Sequence, residues 1–418
     1  MVKTAFCGFV LSIIVSISGK CEIPGTGGLR NGAWRAELNR KDGKAIVFNF
    51  DVKDSLGKKI LYIRNAGERL LVDDITRQGD SVFIRLPFFE SQLRAVLTPD
   101  GNLEGVWLKR GAETYQSVPF RAVYGQSYRF VPAGAGASGK RVGGRWAASF
   151  LSTDGKDTSL RVGEFEQQGD RVTGTFLDPT GDFRYLEGVV DGDSLRLSCF
   201  DGGHAFLFTA KIDTDSTLSG GRFYSGAGSQ GNWTAYKDVN AQLPDEFSLA
   251  KLNPNAGPLQ FSFKDIDGKT VSFPSNRFKG KVVILQIMGS WCPNCMDETH
   301  FLSPFYNQYH SKGVEIVGLA YERTTDFQRS QASLRTFQKR FDVKYPMLIT
   351  GVTVGDPKRA EKTLPQLESI VGYPTTIFID KTGTIRKVHT GFSGPGTGSH
   401  YLDQQKEFYK IVDGLLAE

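Results

Sequence analysis

Alternating apolar and polar residues predict an all-β region over about residues 30–240. The alternating runs are short, and turn dipeptides such as Asp-Gly, Gly-Asp and Pro-Asp separate them, as expected for half-buried strands joined by tight turns. Regularly spaced short strands of this kind are typical of a β-sandwich or a β-barrel. The predicted strands are Ala45–Val52, Ser81–Leu86, Gln92–Leu97, Arg161–Glu166, Arg171–Phe176, Ser194–Phe200 and Ala205–Ile212.

The all-β region also repeats itself. Three short segments recur at a nearly constant offset of about 113 residues, which indicates two copies of one meander-like unit. We expect β repeat 1 over 30–131 and β repeat 2 over 141–240, joined by a segment rich in Gly, Ala and Ser. Two small barrels and one larger β body both remain open. The matching pairs are Gly32–Trp34 with Gly144–Trp146, Gly79–Val82 with Gly192–Leu195, and Leu103–Gly105 with Leu218–Gly220.

The hydrophobic pattern changes after a polar segment with Pro and Asn residues, 241–258, which we interpret as a linker with a short helix over Pro244–Leu252. Over 259–418, predicted strands alternate with helices and end in a hairpin, which predicts an α/β domain with a mixed central sheet covered on both faces. Its strands are Gln260–Phe263, Thr270–Phe273, Lys281–Met288, Val314–Tyr321, Tyr345–Ile349, Thr375–Asp380 and Thr384–His389, and its helices are Met296–Ser311, Gln331–Phe341 and Asp403–Leu416.

Length and charge narrow the class of protein. A chain of 418 residues is too long for one ordinary core, which agrees with a multidomain protein. The net charge of +6 is spread along the chain without a Lys/Arg block, so we expect no nucleic-acid partner. Four tryptophans of the all-β region are candidates for an apolar ligand site, but large aromatic residues usually supply packing area, so we favour a core position for Trp34, Trp107, Trp146 and Trp233.

The first residues resemble an export signal. Lys3 precedes an almost wholly apolar or small stretch, Ala5–Ile17, which suits the apolar region of a signal peptide over 1–20. Cys21 offers a lipid anchor as a second possibility, although Lys20 is a poor residue to precede a lipidated cysteine. No later stretch is apolar enough to cross a membrane. We therefore expect an exported protein of the periplasm or cell envelope.

Five cysteines are present, and two of them form a Cys-x-x-Cys pair. A buried strand leads to Cys292 at a predicted helix start, where free backbone N–H groups and the helix dipole stabilise a thiolate. Cys295 lies about one helical turn further on, within disulfide reach. We expect Cys292 to be the exposed attacking thiol and Cys295 the buried resolving thiol. A zinc site would need two further ligands, which no suitably spaced residues supply, so we expect neither metal nor cofactor.

Four motifs carry a family resemblance. They are Trp291-Cys292-Pro293-Asn294-Cys295, Glu298 three residues later, Gly372-Tyr373-Pro374-Thr375-Thr376, and Ile377-Phe378-Ile379-Asp380 followed by Thr382-Gly383. On these motifs, residues 259–418 resemble the thioredoxin superfamily, in particular the TlpA/ResA-like exported disulfide reductases.

The resemblance implies a thioredoxin fold and thiol–disulfide exchange with protein clients, supplied with electrons by an upstream redox partner. It implies a cis peptide bond at Pro374 that turns the backbone of Tyr373 toward the redox pair, where it pairs with a client strand. Trp291, Pro293, Asn294 and Tyr373 are the implied client-binding residues.

Proton handling depends on two further positions. Glu298 is either a proton carrier for the thiols or a solvated carboxylate on the helix surface. Gln286 stands where thioredoxins have a buried acid, six residues before the first cysteine. A glutamine does not ionise, so proton transfer is left to Glu298 or water, and this favours a specialised reductase over a fast general thioredoxin.

Two other functions stay open at this stage. One is a binding protein whose β region captures a ligand or client, with redox chemistry secondary. The other is a peroxidase on the same fold, against which the adjacent cysteine pair argues. The Gly-rich loop 391–398 either borders the client groove or is a surface turn. We expect ordinary structural roles for His204, His300, His310, His389 and His400, which lack metal-ligand spacing.

Overall fold

The computed structural model describes residues 28–88, 90–132, 139–152 and 155–418. The predicted signal peptide over 1–20 and the candidate lipid anchor Cys21 lie outside the described residues. Between residues 28 and 237, the described residues form strands and turns without a helix. Within the described ranges, none of the helices combines the length and the apolarity that crossing a bilayer requires.

The first part of the β region is a nine-stranded antiparallel sheet. Successive strands pair with each other except β4 and β5, which are the two edges of the sheet, and β1 pairs with β9. Residues alternate between buried and exposed positions along β1, which places Trp34 in the core. The strands are β1 (Gly32–Asn39), β2 (Ala45–Ser55), β3 (Lys58–Asn65), β4 (Glu68–Val72), β5 (Asp74–Gln78), β6 (Ser81–Arg85), β7 (Ser91–Leu97), β8 (Leu103–Arg110) and β9 (Tyr115–Tyr124).

The second part is another nine-stranded antiparallel sheet with the same succession of pairings. Here β10 pairs with β18, and β12 pairs with both β11 and β14, which closes the sheet into a ring. The strands are β10 (Gly144–Leu151), β11 (Thr158–Gln168), β12 (Arg171–Asp178), β13 (Gly181–Asp182), β14 (Leu186–Asp191), β15 (Ser194–Phe200), β16 (Ala205–Thr214), β17 (Thr217–Ser225) and β18 (Ser229–Lys237).

Aromatic side chains fill the cores of both sheets. The four tryptophans of the β region are at most 2% exposed, which confirms the core position favoured from the sequence. Trp34 Nε1 donates to the Arg30 carbonyl at 3.1 Å, and Trp146 Nε1 donates to the Val142 carbonyl at 2.8 Å. The two sheets also pack on each other: the ring centroids of Phe200 in the second sheet and Phe48 in the first lie 4.1 Å apart. The β region is therefore two separate hydrogen-bonded sheets that share a contact core.

The C-terminal domain contains a seven-stranded mixed sheet in the order β20-β19-β23-β22-β21-β24-β25. The three central strands β21, β22 and β23 are parallel, and the remaining pairings are antiparallel. Separate hydrophobic clusters cover its two faces. The predicted mixed sheet is confirmed. The strands are β19 (Phe261–Asp265), β20 (Thr270–Phe273), β21 (Val282–Met288), β22 (Val314–Ala320), β23 (Met347–Ile349), β24 (Thr375–Ile379) and β25 (Ile385–Thr390), and the helices are α1 (Pro293–Tyr309), α2 (Phe327–Phe341), α3 (Arg359–Thr363) and α4 (Ser399–Ala417).

The predicted short helix over Pro244–Leu252 is wrong, because this segment forms turns. The Asp245 side chain accepts the backbone N–H of Phe247 at 3.1 Å, and the Asp245 carbonyl accepts the Ser248 hydroxyl at 2.6 Å. These local bonds compete with a helical ladder. The segment is also bound to the C-terminal domain, since the N–H of Thr390 donates to the Glu246 carbonyl at 3.2 Å.

Candidate active site

Cys292 and Cys295 lie at the start of α1, at disulfide-bonding distance with their Cα atoms 5.2 Å apart. Strand β21 is buried along its whole length and delivers the chain to this point. Cys292 is the N-cap of α1, and its sulfur accepts the backbone N–H of Cys295 at 3.2 Å, while Pro293 occupies the first turn. An N–H donor and the positive end of the helix dipole both favour negative charge on the Cys292 sulfur.

The expected exposure of Cys292 is wrong. Cys292 is only 4% exposed and Cys295 is 0% exposed. The Cys292 sulfur lies 3.4 Å from the Tyr373 carbonyl oxygen, so one side of it is closed by the segment before β24. The order of exposure still agrees with an attacking Cys292 and a resolving Cys295, but the pair as a whole is covered.

The residues around the pair come from separated parts of the chain. The Tyr373–Pro374 peptide bond is cis, as the resemblance implied, and it lies beside the redox pair. The rings of Trp291 and Tyr373 meet edge to face with centroids 5.3 Å apart. Trp291 Nε1 donates to the Tyr321 carbonyl at 2.8 Å, which holds the indole against the end of β22. The structure therefore brings the two predicted motifs together.

Glu298 is buried within α1, so the interpretation as a solvated surface carboxylate is wrong. Gln286 Nε2 donates to its Oε2 at 2.7 Å, and the Thr376 hydroxyl donates to Oε1. Burial raises the pKa of Glu298 from 4.5 to about 7, although both hydrogen bonds act in the opposite direction. Gln286 is in turn bound by the Tyr345 hydroxyl at 3.3 Å. The glutamine thus orients a carboxyl group that changes its protonation near neutral pH.

Comparisons with known proteins find matches to the domain that holds this site. The Redoxin family model matches residues 252–404. The thiol-disulfide oxidoreductase ResA of Bacillus thuringiensis subsp. konkukian is 29% identical over 141 residues, which cover 34% of this chain and 69% of the relative. The thioredoxin-like protein YneN of Bacillus subtilis is 27% identical over 131 residues, covering 31% of this chain and 68% of the relative.

The C-terminal domain is similar to TlpA/ResA-like proteins of the thioredoxin superfamily. Among solved structures, a thioredoxin-family thiol:disulfide interchange protein of Chlorobium tepidum is 24% identical with a TM-score of 0.30, covering 39% of this chain and 99% of that one. StoA of Bacillus subtilis is 25% identical with a TM-score of 0.25, covering 32% of this chain and 90% of that one. The predicted thiol–disulfide oxidoreductase activity is confirmed at the level of its class, and the alternative functions are not favoured.

Sequence analysis missed a group of residues that the β region brings to the thioredoxin-like domain. Arg184, between β13 and β14, donates to Asp297 Oδ2 at 2.5 Å and to Glu68 Oε1 at 2.6 Å. Its guanidinium also lies 3.4 Å from the Pro293 carbonyl inside the redox motif. Burial raises the pKa of Asp297 to about 7, although the Arg184 charge opposes this shift. No motif marks Arg184, because Glu68, Pro293 and Asp297 lie more than a hundred positions away in the chain.

The Gly-rich loop after β25 borders the site. The backbone N–H of Gly394 donates to Asp182 Oδ2 at 2.7 Å, so the loop is held by the second β sheet. Gly394 also lies close to the Asp297 carboxylate on α1, whereas the role of the loop at a client groove stays a prediction.

The histidines make structural contacts within the described part of the chain. His389 pairs with Glu246 at 2.9 Å and His400 with Glu164 at 3.0 Å. Over the described residues, no group of three or more His, Cys, Asp or Glu side chains is placed to hold a metal ion. Cys199 is buried in the second sheet, where burial raises the pKa of its thiol.

Proposed function

We propose that this protein is a reductase of protein disulfides outside the cytosol, with Cys292 and Cys295 as its redox pair. The observation that carries the proposal is the position of the pair: the Cys292 sulfur meets the N-terminus of α1 on one side and the Tyr373 carbonyl on the other. The first contact favours a thiolate, and the second provides a backbone acceptor for a client strand.

The exchange proceeds in two steps. The Cys292 thiolate attacks one sulfur of a client disulfide, so that a Cys292–client bond forms while the client S–S bond breaks. The released client sulfur leaves as a thiolate and takes up a proton. Deprotonated Cys295 then attacks the Cys292 sulfur, which forms the Cys292–Cys295 bond and releases the second client thiolate to be protonated. Two electrons pass to the client, and the two protons of the dithiol balance those that the client gains.

Glu298 carries the proton of Cys295 in this scheme. It follows Cys295 by three residues on α1, and residues three apart lie on the same face of a helix. A pKa of about 7 allows the carboxyl group both to accept and to return a proton near neutral pH. Gln286 is a positioning residue, since it acts by orienting Glu298.

The remaining motif residues contact the client. Trp291 and Tyr373 supply a half-buried aromatic wall, and Pro293 and Asn294 form the half-buried first turn of α1 between the two cysteines. An upstream dithiol donor returns the oxidised pair to the dithiol state after each turnover.

Location and domain organisation complete the proposal. Residues 1–20 serve as a signal peptide, with Cys21 as a possible lipid anchor, in a periplasmic or cell-envelope protein. The boundaries are 30–131 and 141–240 for two duplicated β units, 241–258 for a linker and 259–418 for the thioredoxin-like domain. The equal succession of strand pairings in the two sheets supports the duplication.

Insulin reduction and thiol alkylation test the proposal. Cys292→Ser abolishes reduction, whereas Cys295→Ser accumulates Cys292–client mixed disulfides on non-reducing gels, because the resolving thiol is missing. Iodoacetamide modifies Cys292 before Cys295 in the reduced protein. Faster modification of Cys295, or reduction that survives in Cys292→Ser, contradicts the assigned roles. Cys199→Ser serves as the control, since this thiol lies in the core of the second sheet.

A further inference from the structure

One side of the groove beside the redox pair is filled by the β region. Gly181 in β13 packs so closely on the Asn294 amide that any side chain at 181 would overlap it. Thr180 lies against Gly372, next to Tyr373, where an added Cβ would be 2.6 Å from Thr180 Cγ2 and 2.8 Å from Thr180 Cβ. Residues 180–184, here called the blocking segment, therefore contact both motifs that flank the Cys292 sulfur.

Polar contacts hold the blocking segment in place. Asp182 accepts the Gly394 N–H at 2.7 Å through one carboxylate oxygen and the Arg184 N–H at 2.5 Å through the other. The Arg184 guanidinium pairs with Asp297 on α1 and with Glu68 on the first sheet. Side chains of Asp297 and Arg184 are only 14% and 9% exposed. These contacts are buried and charge-assisted, so they bind the segment firmly to the redox helix.

The Trp291 side of the motif borders a cleft. A cleft of about 990 Å³ lies between the first β sheet and the thioredoxin-like domain, lined by Trp291, Ser290 and Arg323 on one wall and by Phe88 and Arg85 on the other. It reaches the residue that precedes Cys292. A client segment that enters here meets Trp291 first, whereas a client that approaches past Asn294 meets the blocking segment.

We propose that the blocking segment 180–184 determines client specificity: it closes the groove on the Asn294 side and admits only narrow, flexible client segments through the Trp291 cleft. A folded protein surface reaches the Cys292 sulfur only after the segment has been displaced. This inference rests on the proposed disulfide-reductase function and names the class of client that the function serves.

Two disulfide clients of different bulk test the inference in the full-length protein. One is a short linear peptide with a single intramolecular disulfide, and the other is native insulin. The reduced protein is mixed with each client, and single-turnover oxidation of the pair is followed by quenched alkylation. In the variant Asp182→Asn, the amide N–H₂ group faces the backbone N–H of either Gly394 or Arg184 and loses that hydrogen bond. The blocking segment is then held less tightly. We expect the insulin rate to rise about tenfold, the scale of one charge-assisted hydrogen bond, with the peptide rate unchanged. Asp193→Asn, in an exposed turn of the same sheet, is the matched control and changes neither rate.

A clash-and-rescue pair makes the test independent of Asp182. Gly372→Ala puts a methyl group into Thr180 and displaces the segment, so the insulin-to-peptide rate ratio rises. Adding Thr180→Gly removes the two closest atoms that the methyl meets and leaves Thr390 Cγ2 at 3.1 Å, so the double variant returns toward the wild-type ratio. Circular dichroism verifies that each variant is folded. An unchanged ratio in folded Asp182→Asn and Gly372→Ala, or a double variant that keeps the raised ratio, overturns the inference while the reductase function stands. Failure of the wild type to reduce either client contradicts the function itself.

Discussion

Replacing Glu298 by Gln tests whether the carboxyl group three residues after Cys295 is buried and ionisable. In the wild type, burial raises the Glu298 pKa from 4.5 to about 7. Between these two pH values, Glu298 is protonated in the native state and ionised in the unfolded chain. The unfolding free energy therefore falls as pH rises from about 4.5 to 7, and this contribution stays constant above pH 7. A shift of this size corresponds to about 3 kcal/mol of unfolding free energy between the two ends of that window.

The variant Glu298→Gln removes this dependence, because glutamine does not ionise. The carboxylate accepts hydrogen bonds from both Gln286 and Thr376, whereas the amide accepts only one, because its N–H₂ group faces the other donor. The lost hydrogen bond lowers the unfolding free energy by about 1 kcal/mol at every pH. We therefore expect the variant to be less stable than the wild type at pH 4 and more stable by about 2 kcal/mol at pH 8. Urea unfolding of the oxidised protein at pH 4, 5, 6, 7 and 8 measures the difference.

The same series separates the buried carboxyl group from other titrating groups. Glu361→Gln on α3 is the control, because this carboxylate is 69% exposed, and its unfolding curve should follow the wild type. The pH profile of the thiol–disulfide exchange rate should lose its inflection near pH 7 in Glu298→Gln only. Parallel stability curves for the wild type and Glu298→Gln between pH 4 and 8 would refute a buried Glu298 with a raised pKa.

Three further changes have defined outcomes. Gln286→Leu removes a hydrogen-bond donor that lowers the Glu298 pKa, so the inflection in the pH profile of the thiol–disulfide exchange rate should move to higher pH. An inflection at the same or a lower pH contradicts the contact between Gln286 and Glu298. Arg184→Met leaves Asp297 buried without its cation, so the unfolding free energy should fall by about 3 kcal/mol at pH 8. The fall should be smaller at pH 5, where Asp297 is protonated. Equal falls at the two pH values, measured by urea unfolding, would contradict this prediction. Trp146→Ala empties a fully buried site and should lower stability by about 3–5 kcal/mol, whereas a loss below about 1 kcal/mol by the same assay would place the ring outside the core.

The redox pair could be predicted from the sequence because its geometry is local. A largely apolar strand, a proline in the first helical turn and a spacing of three residues suffice to place Cys295 one turn from Cys292. Strand alternation and turn dipeptides likewise predicted the β region, since both patterns act over a few neighbouring residues. Helix α3 was not predicted, because five residues are too few to show a helical period.

Burial and long-range pairing were decided only by the tertiary structure. Whether Glu298 faces water or the interior depends on Gln286 and Thr376, which come from two different strands. The covered state of Cys292 and the contacts of Arg184 depend on how the β region lies on the thioredoxin-like domain. Such contacts join residues that are distant in the chain, and their charges have partners only after folding. Desolvation then shifts the pKa values of Glu298 and Asp297 toward neutrality, and no local pattern of residues encodes that shift.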